Sequence, residues 1–286
     1  MIKLGLIGKG ILKSQAPDLH CRLGKLVGQV SSYDLFDGNE TGFRGLEGSL
    51  GFMREAGYQG TNITFPFKEA ALSLADTIGE SARKIGATNT LILGESIQAE
   101  NTDYTGFMSA YRFRFGQTTP GEVLLIGGGG VGRAVAVGLV DLGAKAIYLA
   151  ETDVERGRKL VEELKGFGVQ ASLLDTNAIN STIPKVQGVV NCSPVGHVNH
   201  PGCPIDVSLL QPQQWVFDAV YVPANTEFLQ GARKAGCKLL SGVDLFVFQG
   251  LDAFKFFTAS LNLTNSLDRE AKSLHSYYME KLFNTI

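Results

Sequence analysis

A glycine-rich turn between a predicted strand and a predicted helix constrains the fold of this chain most. The apolar segment 123–126 runs directly into Gly127-Gly-Gly-Gly-Val-Gly132, and a helical pattern extends over 131–142. The first, third and sixth residues of the turn match G-x-G-x-x-G in the strand–turn–helix context typical of dinucleotide-binding units. Small residues let a pyrophosphate approach the helix N-terminus, where unpaired N–H groups and the helix dipole favour negative charge. The sequence therefore predicts a dinucleotide site, with a tight turn that binds nothing as the alternative.

An acidic residue after the next predicted strand indicates which dinucleotide this site would take. The strand at 146–150 is followed directly by Glu151. A carboxylate at this place accepts hydrogen bonds from the ribose hydroxyls and repels a 2′-phosphate. No arginine immediately follows the strand. The sequence therefore favours NAD over NADP.

Strand-like and helix-like segments alternate along the chain. In the first third, strands are predicted at 3–8, 32–36 and 59–64, and a hairpin of short strands surrounds Gly94-Glu95. After a linker at 116–121 the alternation resumes around the glycine turn, and the chain ends in two predicted helices. Such alternation is typical of parallel βαβ units, so the sequence predicts an α/β fold.

Charge and composition narrow the classes of partner. The chain has 286 residues, and its 26 basic and 28 acidic residues give a net charge of −2. This balance gives no general attraction to nucleic acid or to an anionic membrane. There is no signal-like leader and no apolar run long enough to span a bilayer, so we expect a cytoplasmic protein. The cysteines are widely spaced, and His197 and His200 lie in a predicted loop, so we expect no metal site.

Polar clusters follow several predicted strands at their carboxyl ends, where the ligand crevice of an open α/β sheet lies. They occupy residues 14–17, 62–68, 86–90 and 101–106. Lys68 stands out because it begins a predicted helix, where its charge opposes the helix dipole. A lysine held beside a carboxylate such as Asp103 makes a proton-transfer pair.

Seven motifs in order and spacing resemble the shikimate/quinate dehydrogenase family over nearly the whole chain. They are N-I-T-x-P-x-K, G-A-x-N-T, N-T-D-x-x-G, the glycine turn, N-C-S-P-V-G, D-A-V-Y-V-P and Q-G. The resemblance implies an α/β substrate-binding domain at 1–106, a Rossmann NAD-binding domain at 107–242, and C-terminal helices at 243–286 that pack back on the first domain. The acidic Glu151 is closer to the NAD-using quinate/shikimate branch than to the NADP-using biosynthetic one.

The resemblance also implies roles for individual residues. Lys68 and Asp103 would be the catalytic pair. The substrate's ring hydroxyls would be bound by Thr64, Asn89, Asp103 and Gln249. Its carboxylate would be bound by Ser14 and Tyr221. The cofactor would be bound by Gly127, Gly129, Gly130, Val131, Gly132, Glu151, Asn191, Ser193 and Gly242.

Two positions depart from the family pattern. Ala16 stands where the family's carboxylate-binding loop has a second hydroxyl, and Leu245-Phe246 stands where a methionine is common near the nicotinamide. The sequence predicts an NAD-dependent dehydrogenase, a monomer or homodimer, that acts on shikimate, quinate or an amino analogue. A non-catalytic or regulatory NAD-binding protein remains an alternative. The combination of Asn89, Asp103 and Gln249 argues against a two-domain folate dehydrogenase.

Overall fold

The structure, a computed structural model, describes residues 1–283 and divides the chain into two compact units. The first unit comprises Met1–Gly106 and Val247–Leu274. The second comprises Phe107–Phe246 and the described residues from His275 onward. Within residues 1–283, no helix is long and apolar enough to span a bilayer.

The first unit is built on a six-stranded mixed sheet in the order β2-β1-β3-β5-β6-β4. Its elements are β1 (Ile2–Gly8), α1 (Ala16–Leu26), β2 (Ser31–Asp37), α2 (Gly45–Glu55), β3 (Gly60–Ile63), α3 (Lys68–Leu72), β4 (Thr77–Ile78), α4 (Glu80–Ile85), β5 (Thr90–Leu93) and β6 (Ile97–Glu100).

The sheet of the first unit contains parallel and antiparallel pairs, and the short connection between β5 and β6 explains the antiparallel pairing of those two strands. β1 pairs in parallel with both β2 and β3, which are reached through helices. β5 runs antiparallel to β3 and to β6. A short connection between strands permits only an antiparallel hairpin. The predicted hairpin around Gly94-Glu95 is therefore confirmed.

The second unit is built on a six-stranded sheet in the order β12-β11-β10-β7-β8-β9, in which all pairs are parallel. Its elements are α5 (Thr102–Phe115, whose first residues belong to the first unit), β7 (Glu122–Ile126), α6 (Gly130–Asp141), β8 (Ala146–Ala150), α7 (Val154–Gly166), β9 (Gln170–Leu174), α8 (Ile179–Thr182), β10 (Gly188–Asn191), β11 (Trp215–Asp218), α9 (Glu227–Lys234) and β12 (Lys238–Ser241).

This strand order is that of a doubly wound Rossmann sheet. The chain leaves β7 in one direction through β8 and β9, then returns to the other side of β7 at β10. Ligands of such sheets bind outside the carboxyl ends of the strands where the order reverses. The glycine turn follows β7 at that point. The predicted α/β fold with a Rossmann sheet is confirmed.

The two predicted C-terminal helices are α10 (Gly242–Phe257) and α11 (Thr264–Phe283), but their assignment to units differs from the expected boundary. The sequence places all of 243–286 with the first unit, whereas residues 243–246 and 275–283 belong to the second. The cause is local packing. His275 Nε2 lies 2.8 Å from Asp244 Oδ1, and the Phe246 and Tyr278 rings meet edge to face at 5.4 Å. Residues 284–286 of the expected segment lie outside the described residues.

Candidate active site

The glycine turn after β7 is folded too tightly for side chains at two of its positions. Gly127 has a φ of +90°, and a Cβ there would lie 2.7 Å from the Ser193 backbone nitrogen. A Cβ on Gly132 would lie 2.1 Å from the Gly127 carbonyl oxygen. At Gly129 and Gly130, by contrast, a Cβ would meet no atom within 4 Å. The space beside the start of α6 is therefore open, which suits the approach of a pyrophosphate to its N–H groups.

Glu151 follows β8 with both carboxylate oxygens hydrogen-bonded. Oε2 accepts from the Gly128 N–H at 2.7 Å, and Oε1 accepts from the Asp153 N–H at 2.9 Å. Arg156 donates to both oxygens, from Nε at 3.2 Å and from Nη2 at 2.9 Å. Burial opposes ionisation, but the hydrogen bonds from Arg156 and the two backbone N–H groups outweigh it and lower the pKa of Glu151 to about 2. The carboxylate is therefore a fixed negative charge.

Arg156 is a site residue that sequence reasoning missed. It does not follow the strand directly, but the first turn of α7 carries it back over Glu151, and its side chain is 49% exposed. An arginine within the first turn after an acidic β8 residue was the available signal. A guanidinium paired to Glu151 occupies the lone pairs that the predicted ribose hydrogen bonds would use, so a ribose would share Glu151 with Arg156 or displace it.

The segment after β10 is held by a buried network. Asn191 Oδ1 accepts from the Ser193 hydroxyl at 2.6 Å, and Asn191 Nδ2 donates to Asp218 Oδ1 at 2.9 Å. The Thr226 hydroxyl donates to Asp218 Oδ2 at 2.6 Å. Asn191, the last residue of β10, therefore holds Ser193 in place next to the glycine turn, as the predicted cofactor role of both residues requires. Burial raises the pKa of Asp218 to about 6 against the effect of these hydrogen bonds.

Asp218→Asn should stabilise the protein above neutral pH. The folded carboxyl has its pKa raised from 3.8 to about 6, so between these values the unfolded chain releases its proton first and rising pH destabilises the folded state. Asparagine keeps the shape and carries no charge. We expect the free energy of unfolding of the variant at pH 8, measured with urea, to exceed the wild-type value by up to about 3 kcal/mol. The difference in stability should vanish near pH 3, where Asp218 is protonated in the folded and in the unfolded chain. A variant that is less stable than wild type at pH 8 would contradict the raised pKa of Asp218.

Lys68 and Asp103 meet in the first unit. Lys68 is the first residue of α3, and Asp103 lies in the first turn of α5. Lys68 Nζ is 2.5 Å from Asp103 Oδ2, with the two side chains 19% and 12% exposed. The structure therefore brings together the acid–base pair that the sequence singled out, and leaves part of each group accessible.

Two hydrogen bonds connect the segment of Asn89 to the segments that carry Lys68 and Asp103. The N–H of the preceding residue, Thr88, donates to the Lys68 carbonyl at 3.0 Å. Asn89 Oδ1 accepts from the backbone N–H of Thr102 at 2.7 Å, directly before Asp103. The predicted substrate residue Asn89 is thus placed beside the catalytic candidates by the backbone itself.

Gln249 reaches the same unit through a close crossing of α5 and α10. A Cβ on Gly106 would lie 2.5 Å from the Gln249 backbone nitrogen and Cα, so only glycine permits this approach. A Cβ on Gly250 would lie 2.3 Å from Leu19 Cδ2 in α1. These two glycines set the position of Gln249, and sequence reasoning assigned them no role although both stand in the quoted motifs.

The loop before α1 shows how the chain accommodates Ala16. The backbone N–H of buried Ala16 donates to Ser14 Oγ at 3.2 Å. The Ser14 N–H donates to the Ile11 carbonyl at 2.8 Å. The single N–H that Ala16 can offer is therefore already used within the loop. Thr64, the other predicted hydroxyl, directly follows β3, and its N–H donates to the Ile7 carbonyl at 2.9 Å.

Tyr221 and Gly242 lie in the second unit. The Tyr221 ring stacks on Phe246 at 5.5 Å with an interplanar angle of 10°, and burial raises the pKa of Tyr221. A Cβ on Gly242 would lie 2.5 Å from the Val220 carbonyl oxygen, so α10 can begin there only with glycine. Phe246, one of the positions that departs from the family pattern, therefore packs on a predicted substrate residue.

Known proteins with similar sequences carry the same combination of a substrate domain and a nicotinamide cofactor. The family model for the shikimate dehydrogenase substrate binding domain matches residues 6–91. A quinate/shikimate dehydrogenase (NAD(+)) of Corynebacterium efficiens is 37% identical over 263 residues, which cover 90% of this chain and 93% of the relative. A shikimate dehydrogenase (NADP(+)) of Pseudarthrobacter chlorophenolicus is 36% identical over 282 residues, which cover 97% of this chain and 94% of the relative.

A solved structure agrees with the sequence relatives. Quinate dehydrogenase from Corynebacterium glutamicum in complex with NAD matches this fold with a TM-score of 0.85 and 33% identity, covering 94% of this chain and 99% of that chain. The resemblance deduced from the seven motifs is confirmed, because sequence and fold agree over nearly the full length. The chain belongs to the shikimate/quinate dehydrogenase family.

Proposed function

We propose that the chain is an NAD-dependent oxidoreductase that interconverts a ring hydroxyl and a ketone on a shikimate- or quinate-like cyclohexane carboxylate. The observation that carries this proposal is the contact of 2.5 Å between Lys68 and Asp103 in the substrate unit. A family member that had lost turnover would have no chemical reason to keep a lysine and a carboxylate paired in partly exposed positions. The relatives named for NAD and for NADP support a nicotinamide dinucleotide as cofactor.

The second unit would hold this cofactor. Bound there, its nicotinamide ring supplies the hydride acceptor or donor of the reaction. The pyrophosphate would lie against Gly129, Gly130 and the start of α6, where the structure leaves open space. Glu151 would accept hydrogen bonds from the ribose, and its fixed negative charge favours NAD over NADP.

Lys68 would exchange the proton of the reacting hydroxyl. Its Nζ is held by Asp103, so the ammonium and the carboxylate stay in one arrangement rather than dispersing into solvent. A positioned acid–base group lowers the barrier because the proton moves while charge develops on the hydroxyl oxygen. Asp103 would orient that hydroxyl and fix Lys68, and no metal ion is required in this scheme.

The remaining substrate contacts follow the family pattern. Thr64, Asn89 and Gln249, which belong to the first unit, would bind the ring hydroxyls together with Asp103. Ser14 and Tyr221 would bind the carboxylate. Under this proposal the protein works in the cytoplasm as a monomer or homodimer, and its four free cysteines are typical of a reducing compartment.

Ala16→Ser should lower KM for shikimate or quinate. A carboxylate removed from water needs several donors, and the only N–H of Ala16 is bonded to Ser14. One hydrogen bond to a charged group is worth about 1.5–3 kcal/mol, so restoring the hydroxyl should lower KM about 10- to 100-fold. Steady-state kinetics should show kcat within a few-fold of wild type.

Two outcomes would argue against the hypothesis that the loop before α1 binds a carboxylate and lacks a donor at Ala16. If water or the neighbouring Lys13 already supplies the missing donor, Ala16→Ser will change KM little. A higher KM for both acids would instead argue against a carboxylate at this loop and direct the search to substrates with another substituent.

Formation of reduced cofactor separates the proposed function from its rivals. Purified protein should reduce NAD when shikimate or quinate is added, and should do nothing with a reduced-folate substrate. A protein that binds NAD but forms no NADH with shikimate, quinate, or their amino and dehydro relatives is a binding or regulatory homologue, and the proposal fails.

A further inference from the structure

We propose that the buried carboxylate of Asp218 makes the second unit bind oxidised NAD more tightly than reduced NAD. The nicotinamide ring of oxidised NAD carries a positive charge, whereas the ring of reduced NAD is neutral. A negative charge fixed on the nicotinamide side of the sheet therefore distinguishes the two redox forms of one cofactor. This inference rests on the proposed function and adds to it a preference of the same cofactor site for one redox form.

The topology of the sheet places Asp218 on the nicotinamide side. The strand order is β12-β11-β10-β7-β8-β9, and the glycine turn that would receive the pyrophosphate follows β7. Glu151, which would bind the adenosine ribose, follows β8 on one side of β7. A dinucleotide binds across the crevice where the strand order reverses, so its nicotinamide half would extend the opposite way, over β10 and β11. Asp218 is the last residue of β11.

Within residues 1–283, every hydrogen bond to the Asp218 carboxylate comes from a neutral donor. Oδ1 accepts from Asn191 Nδ2 at 2.9 Å and from the Val220 N–H at 3.1 Å. Oδ2 accepts from the Thr226 hydroxyl at 2.6 Å, and Asp218 itself is fully buried. Because these partners are uncharged, they satisfy the carboxylate oxygens without cancelling the negative charge.

Asp218 differs in this respect from the other buried carboxylates among the described residues of the second unit. Glu151 pairs with Arg156 at 2.9 Å. Asp244 lies 2.8 Å from His275 Nε2. No basic side chain within residues 1–283 forms an ion pair with Asp218. The charge of Asp218 is therefore left to act on a ligand.

The groups that face Asp218 leave it as the group that titrates near neutral pH. Burial raises the pKa of Asp218 to about 6, so the carboxyl is ionised at pH 8 and largely protonated at pH 5. Burial, with a contribution from Asp218, raises the pKa of the thiols of Cys192 after β10 and Cys203 before β11, so both stay neutral over this range. Ser241 of β12, which pairs with Asp218 in register, and Thr226 before α9 carry no charge.

The stability of the fold gives no reason for a carboxylate at position 218. An asparagine there can accept from the Asn191 amide and the Val220 N–H through its oxygen, and can donate to the Thr226 hydroxyl through its NH₂ group. A buried charge without a cation destabilises the folded chain at pH 8, and the amide does not. The property that only the carboxylate supplies is its negative charge, and a positively charged nicotinamide ring is the ligand group that this charge would favour.

The experiment compares the Kd values of oxidised and reduced NAD for wild type and Asp218→Asn, by titration of the substrate-free protein at pH 8. Two unit charges about 10 Å apart change a binding ratio about 4- to 20-fold at effective dielectric constants of about 40 to 20. We expect Asp218→Asn to lower the ratio of the Kd for reduced NAD to the Kd for oxidised NAD by such a factor. At pH 5, where Asp218 is largely protonated, the ratios of the two proteins should differ about 3-fold or less.

Two further variants separate the charge of Asp218 from its shape. Asp175→Asn removes an exposed carboxylate that follows β9, two strands from β7 on the adenosine side, and should leave the ratio unchanged. Thr226→Val removes a hydrogen bond that lowers the pKa of Asp218, so its preference for oxidised NAD should appear at a higher pH than in wild type. A purely structural role of Asp218 would change both Kd values by the same factor and leave their ratio constant.

The outcomes separate this inference from the proposed function. If wild type binds both forms of NAD and Asp218→Asn has the wild-type ratio at pH 8, the charge of Asp218 does not act on the nicotinamide and the inference is wrong. A wild-type ratio that stays constant between pH 5 and pH 8 contradicts the inference as well. If wild type binds neither form, the proposed function fails and the inference fails with it.

Discussion

Lys68→Ala is expected to lower kcat by about 10²- to 10⁴-fold, the usual contribution of a positioned acid–base group. The variant removes the Nζ that lies 2.5 Å from Asp103 Oδ2 in the first unit. Binding of NAD should be nearly unchanged, because Lys68 belongs to the first unit and the glycine turn to the second. Steady-state kinetics measure the fall in kcat, and a direct titration with NAD measures cofactor binding separately.

Two variants make this test specific. Lys25→Ala removes an exposed lysine from the last turn of α1 in the same unit and should leave kcat unchanged. Asp103→Asn keeps the shape of the carboxyl but loses its charge, so it should lower kcat as well. A Lys68→Ala enzyme that retained more than a tenth of wild-type kcat would show that another group moves the proton.

Glu151→Ala is expected to lower kcat/KM for NAD by about tenfold or more, since a hydrogen bond to a charged group is worth about 1.5–3 kcal/mol. Efficiency with NADP should fall less or rise. The substitution removes the charge that repels a 2′-phosphate and releases Arg156, whose guanidinium bonds both Glu151 oxygens. The measured quantity is the ratio of kcat/KM for the two cofactors.

Neighbouring variants separate the roles of the pair. Arg156→Ala should keep the NAD preference, because Glu151 retains its bonds from the Gly128 and Asp153 N–H groups. Glu155→Ala removes an exposed carboxylate that pairs with Arg158 and should change neither cofactor. Faster wild-type turnover with NADP than with NAD at equal concentration would overturn the assignment of Glu151.

Local sequence patterns predicted most of the fold. The glycine turn, the apolar strands and the short hairpin are each encoded within a few neighbouring residues, and all three are present in the structure. The division of the two C-terminal helices between the units was not predictable in this way. It depends on Asp244 and His275, which are 31 positions apart in sequence and meet only after both helices have packed.

Some residues of the candidate site were predictable from local sequence patterns, and others were not. Lys68 and Asp103 could be paired in advance because both stand after strands that end at one sheet edge. Arg156 was missed because its contact with Glu151 depends on the direction of the first turn of α7, and its place in that turn was the only signal in the sequence. Gly106 likewise has no signal of its own, because its role is the space it leaves for the Gln249 backbone.

Transfer of label from substrate to cofactor tests the central claim most directly. Purified protein would be incubated with NAD and either shikimate or quinate that carries deuterium on its ring carbons, and the reduced cofactor would be isolated. The account predicts reduced cofactor that carries deuterium from the carbon bearing the reacting hydroxyl, formed about 10²- to 10⁴-fold more slowly by Lys68→Ala than by wild type. Bound NAD that is never reduced, or reduced cofactor without label, would contradict it.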